Sequence, residues 1–157
     1  MKAALILVGK TQEKNLISLT QDYLERLSHY LSLEVIVLPE LRGTKSLSQD
    51  QQKQKEAQAI LKVLSASDHV ILLDERGDEM TSMEFAQFMK KKMNTIAGRL
   101  VFIIGGPYGF DGSVYDRSNG KMSLSRMTFS HQMVRLIFIE QLYRAMSILG
   151  GSPYHHE

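Results

Sequence analysis

Cysteine is absent from all 157 residues. That removes disulfides, thiol nucleophiles, iron–sulfur clusters and cysteine zinc sites together. A strong charge of one sign is also lacking: nineteen Lys+Arg stand against seventeen Asp+Glu, a formal charge of +2. Proteins that hold nucleic acid by bulk electrostatics are far more basic, so any RNA contact has to be a local patch. No apolar run approaches the ~18 residues of a membrane span. The opening "MKAALILVGKTQEKN" has no small-residue cleavage site after its apolar run, so it reads as a first strand rather than a signal peptide. The chain is therefore expected to be cytoplasmic and off the membrane.

Several catalytic signatures are missing too. "VGKT" at residues 8–11 lacks the first glycine and the spacing of a phosphate-binding P-loop, and no Gly-x-Gly-x-x-Gly or Gly-x-Ser-x-Gly occurs. None of the five histidines stands four residues from another, the spacing that would put two imidazoles on one helix face. No metal is expected. Asp74, at the end of a predicted strand, lacks the acidic pair of a phospho-accepting domain and reads as a loop aspartate taking local N–H bonds.

What is present alternates. Residues 3–8, 33–38, 70–73 and 100–104 are apolar runs of strand length. Between them apolar residues recur at helical spacing: Leu16, Leu19, Tyr23, Leu27 and Tyr30, then Ala57, Ile60, Leu61 and Leu64, then Phe85, Phe88 and Met89. Thr81 and Glu84 form a capping box at the start of the third helix, with residues 90–92 on its solvated side. The polar stretch 41–58 is expected to hold a loop around Gly43 before its helix begins. This is a βαβαβαβ pattern, predicting one α/β domain over residues 1–157: a parallel sheet with helices on both faces.

The last third differs. "FIIGGPYGF" at residues 102–110 is a strand ending in glycines, but Pro107 has no N–H to offer a phosphate. About fifteen irregular residues are expected next, then a short strand over 121–124. "QMVRLIFIEQLYRAMSIL" at residues 132–149 follows as the strongest helix, with a Glu140–Arg144 pair and a Gly150-Gly151 stop. Val134, Ile137, Phe138, Leu142, Ala145, Met146 and Leu149 nearly encircle that helix. One side suits its own sheet, and the other calls for a partner, most simply a second copy of the chain. The loops "LLDERG", "IIGGPYGF" and "SLSRMTFSH" gather at the carboxyl ends of strands, where open parallel sheets keep their ligand crevice.

The runs "IIGGPYG" and "MSLSRMTFSHQMVRLIFIEQLYRAMSI" and the tail "PYHHE", with "LILVGK" and "LLDERG" before them, resemble the SPOUT-type RNA methyltransferases. The resemblance is to the small RlmH family, which N3-methylates a pseudouridine of large-subunit (23S) ribosomal RNA. It spans the whole chain and weighs most in the last fifty or so residues. It implies a deep C-terminal trefoil knot, S-adenosylmethionine as cofactor, the ribosome as partner and a homodimer. The cofactor pocket it implies comprises Leu73, Gly105, Gly106, Ser125, Arg126, Met127, Thr128, Phe129 and Ser130, with Gly106 where backbone meets ligand. RNA would meet Arg135, Arg144, Tyr154 and His155, with Lys121 in the same basic patch.

Two positions depart from the family pattern: Tyr108 replaces a small, polar or acidic residue, and His156 replaces an arginine or lysine. A neutral imidazole at His156 weakens any phosphate contact there near pH 7. The implied reaction needs the imide proton removed before the nitrogen can attack. His131 and His155 are both candidate bases. The rival reading is a module that binds RNA or an adenine ligand without turnover.

Overall fold

The computed structural model describes residues 2–156. Its chain order is β1 (Lys2–Val8), α1 (Lys14–Leu27), β2 (Ser32–Leu38), a 3-10 turn, α2 (Gln49–Lys62), β3 (His69–Glu79), α3 (Ser82–Thr95), β4 (Leu100–Ile104), α4 (Gly112–Arg117), β5 (Gly120–Ser123) and α5 (Met133–Leu149). The five strands form one sheet in the order β2-β1-β4-β3-β5, every pair parallel.

The strands β1 and β4 lie inside the sheet, and their continuous apolar sequence follows from being covered on both faces. Alternate residues point opposite ways. Leu5, Leu7, Ile71, Phe102 and Ile104 pack with residues of α1, α3 and α5. Ala4, Ile6, Val70, Leu72, Val101 and Ile103 pack on the other face with Ala57 and Ile60 of α2 and Val114 of α4. The expected parallel sheet with helices on both faces is what the chain builds.

Four local expectations change. The third strand does not stop at Leu73: β3 runs on to Glu79, pairing Met122 once with Leu73 and again with Asp78 across an irregularity. A bulge of polar residues hides such a continuation from any apolar pattern. The stretch after the glycine corner is not irregular throughout, because Asp111 caps the short α4 by accepting the Ser113 N–H at 3.1 Å. The last strand is Gly120–Ser123, so Leu124 falls just beyond it. In α1, Leu27 is buried but Leu19 stays 45% exposed, so the apolar stripe is only partly covered.

The helix α5 lies against both α1 and α3. These neighbours take most of the apolar circumference that the sequence assigns to a partner chain. A narrower outward stripe remains, with Met133 exposed and Ile137, Glu140, Gln141, Arg144 and Ile148 half-buried.

Candidate active site

Where β4 ends and its pairing with β3 stops, the two chains diverge and leave a cleft of about 700 Å³, a volume in the range of small-ligand sites. Leu73 and Ile104 close the register of these neighbouring strands. Beyond Leu73 the bulge is stiffened by Asp74, which accepts the Arg76 N–H at 2.8 Å and the Tyr115 hydroxyl. Asp74 is thus the local acceptor its sequence position suggests. Burial pushes the Tyr115 hydroxyl above the ordinary tyrosine value, and the adjacent Asp74 carboxylate raises it further, so Tyr115 remains a donor.

The opposite wall is the loop between β5 and α5. Ser123 Oγ donates to the Ser125 carbonyl at 2.9 Å, and Ser125 Oγ accepts the Met127 N–H at 2.9 Å. Ser130 starts α5, its Oγ accepting the Met133 N–H at 3.1 Å and its carbonyl the Val134 N–H at 3.0 Å. Just past the loop, Gln132 ties it to the chain after β1, accepting the Gln12 N–H at 2.9 Å and donating to the Lys10 carbonyl at 3.4 Å.

The third wall is the glycine corner. A Cβ on Gly105 would lie 2.9 Å from the Phe110 ring, and one on Gly106 would lie 2.7 and 2.8 Å from the carboxylate oxygens of Glu56. At either position a side chain would make its neighbour move, the Phe110 ring or the Glu56 carboxylate. Gly106 lines the cleft where the sequence reading puts it, but a side chain there would point at Glu56, which does not line the cleft. What Gly106 offers the cleft is backbone.

Of the expected pocket residues, Leu73, Gly105, Gly106, Ser125, Met127, Thr128, Phe129 and Ser130 all line this cleft. Arg126 does not; its side chain is 88% exposed and points to Glu79, 3.9 Å away. His131 lines the cleft beside Val134, and Tyr108 and Met127 line it while remaining open to solvent.

The remaining expected residues lie elsewhere. Arg135 is 1% exposed, and its guanidinium donates to the carbonyls of Val8 and Gly9 and to Thr11 Oγ1. Such a residue cannot serve a surface RNA patch; an apolar-looking helix gave no sign that its arginine faces inward. Arg144 belongs to a polar cluster under the tail. It pairs with Glu140 at 2.6 Å, meets His155 Nδ1 at 3.1 Å and lies over the Tyr154 ring at 4.8 Å. Tyr154 Oη donates to Glu140 at 2.9 Å and lies 3.2 Å from the Tyr23 hydroxyl. Burial, then these two neighbours, raise the Tyr154 hydroxyl well above the ordinary range. Neither Tyr154 nor His155 lines the cleft of its own chain. Lys121 sits over the Tyr115 ring at 5.5 Å.

Among the described residues no group of three or more histidine, aspartate or glutamate side chains is placed to hold a metal ion. No helix among them is long and apolar enough to cross a membrane. Sequence reasoning passed over Glu56 and Gln132, since each is a polar residue without a motif around it.

Residues 1–155 match the family model described as "Predicted SPOUT methyltransferase". The chain belongs to the SPOUT methyltransferase family. Among its relatives, "Ribosomal RNA large subunit methyltransferase H" of Bacteroides thetaiotaomicron is 57% identical over 157 residues, the whole of both chains. Proteins of the same name in Bacteroides fragilis and Porphyromonas gingivalis are 57% and 55% identical over the same full length. For a SPOUT methyltransferase, a cleft at strand ends with a backbone corner on one side and a serine-rich loop on the other is a coherent place for a methyl donor.

Proposed function

We propose that this SPOUT methyltransferase transfers a methyl group from S-adenosylmethionine to N3 of a pseudouridine in large-subunit (23S) ribosomal RNA, on the ribosome, in the cytoplasm. The observation that carries the reading is the cleft. Eight of the nine residues expected to hold the cofactor line it together, in a chain 57% identical end to end to proteins named for that RNA.

The cleft fits the cofactor chemically. Backbone at Gly105 and Gly106 is open to close approach, as a flat adenine without phosphate requires. Leu73, Met127 and Phe129 supply apolar wall, and Ser125, Thr128 and Ser130 supply hydroxyls. The cofactor, when bound, supplies an already activated methyl on its sulfonium. The protein's own work is alignment, exclusion of water and removal of the N3 proton. His131 is the residue we assign to take that proton, because it lines the cleft that holds the cofactor.

Tyr154 and His155 lie outside their own chain's cleft, which supports a homodimer in which each tail serves the neighbouring site. The outward stripe of Met133, Ile137 and Ile148 on α5 supplies apolar surface for that pairing. Within the dimer Arg144 and Lys121 are the cations offered to RNA, and Tyr154 a face for a base.

The trefoil knot belongs to the same reading. Its support is topological: β5 lies at one edge of the sheet, yet α5 begins at the end of β1, three strands away. The chain therefore crosses back past β3 and β4 after leaving β5. A transfer assay tests the function: ribosomes lacking the modification should gain labelled methyl from S-adenosylmethionine only when the protein is present. A protein that retained RNA or cofactor and transferred nothing would be a binding module instead.

A further inference from the structure

The carboxylate of Glu56 is the least expected feature near the cleft. Glu56 is 7% exposed on α2, a helix whose Ala57 and Ile60 belong to the apolar layer on that face of the sheet. What reaches it is polar but neutral: Gln52 Nε2 at 3.4 Å and the backbone N–H of Gly106. Burying a carboxylate with neutral partners is costly, and an apolar side chain would pack there at less expense. Burial accordingly pushes its carboxyl above the ordinary glutamate value, partly offset by the hydrogen bonds from Gln52 and Gly106.

The geometry explains what that cost secures. Both carboxylate oxygens press on the face of Gly106 where a Cβ would stand, at 2.7 and 2.8 Å from it. Gly106 directs its N–H into the same carboxylate. The corner otherwise has few fixings: Gly109 N donates to the Gly106 carbonyl at 3.2 Å, and Pro107 has no N–H to contribute.

We propose that Glu56 is a positioning residue for the cofactor site: it fixes the orientation of the Gly106 backbone, and through it the wall against which S-adenosylmethionine binds. The assignment rests on the cofactor reading above. Glu56 touches no ligand; it acts through Gly106. A side chain at position 106 would have to push this carboxylate aside.

Calorimetric binding of S-adenosylmethionine, with thermal unfolding on the same preparations, tests this with Glu56→Ala, Glu56→Asp and Glu56→Gln. Aspartate keeps the charge but withdraws it by one methylene. Glutamine keeps the length and a carbonyl that accepts the Gly106 N–H. The alanine and aspartate variants should bind at least tenfold more weakly, about 1.4 kcal/mol, while the glutamine variant stays within about threefold of native. Glu56→Asp carries the test if Glu56→Ala does not fold. Native binding in folded Glu56→Ala or Glu56→Asp would reduce Glu56 to a structural residue and overturn the assignment alone. Native protein that binds no S-adenosylmethionine would overturn the cofactor reading and this assignment with it.

Discussion

Arg135 donates from a fully buried guanidinium to the carbonyl of Gly9 at 2.8 Å, tying the first turn of α5 to the end of β1. Val8 receives a second bond from the same group at 2.7 Å. Burial lowers the arginine's pKa, but not into a range where it loses its charge. Arg135→Met keeps the volume and leaves two buried carbonyls without this donor. It should cost on the order of 3 kcal/mol, read as a fall in the urea midpoint with an unchanged slope. A variant as stable as native would mean those carbonyls find water.

The two histidines should separate kinetically. His131→Ala should lower kcat by roughly 10²-fold or more, the range of a lost general base, with cofactor affinity within about threefold of native. His155→Ala should chiefly raise KM for ribosomes, since that ring lies with Arg144 under the tail. Steady-state kinetics on unmodified ribosomes decide. The reverse pattern would move the base to His155.

Assembly provides a third expectation. Light scattering at micromolar concentration should give twice the chain mass. Ile137→Glu, which places a charge on the outward stripe of α5, should give a monomer that still folds but is inactive. A native monomer with full activity would remove the partner's tail from the mechanism.

Acid stability should depend on the Asp68–Arg99 pair, which closes at 2.8 Å with the Asp68 side chain 2% exposed. Burial alone would raise the Asp68 carboxyl. The Arg99 hydrogen bond, the Ser65 N–H and the charges of Arg99 and Arg117 outweigh it, so Asp68 titrates below the ordinary aspartate value. A depressed folded-state pKa contributes stability above the unfolded value of about 3.9. That contribution is lost as pH falls through the folded value. Urea unfolding from pH 7 downward should show native stability declining below about pH 4. Asp68→Asn should start about 3 kcal/mol lower at pH 7 and decline less. Parallel curves for the two proteins would place the acid sensitivity elsewhere.

The architecture was legible where one physical signal dominated. Apolar runs buried on both faces located β1 and β4, and the Thr81–Glu84 box located α3, where both of its hydrogen bonds form. A second box, Ser48 with Gln51, starts α2 and was readable by the same rule, but the surrounding polar stretch masked it. The β3 extension was hidden because polar residues 74–77 interrupt its pairing. At the site, position along the chain gave the lining residues. It did not give the inward turns of Arg135 and Glu56, because a charged residue buried by tertiary packing leaves no periodic trace. Nor did it show that Gly106 is constrained from behind rather than from the cleft.

If this protein supplies the N3 methyl of one pseudouridine in 23S ribosomal RNA, that methyl should vanish with the protein. Mass spectrometry of that RNA's fragments, from cells with and without the protein, tests it directly. A single pseudouridine-containing fragment should lose one methyl group when the protein is absent. Incubating those ribosomes with the protein and S-adenosylmethionine should restore it at N3. An unchanged methylation pattern, or a methyl restored to a different nucleotide or ring position, would rule out this assignment.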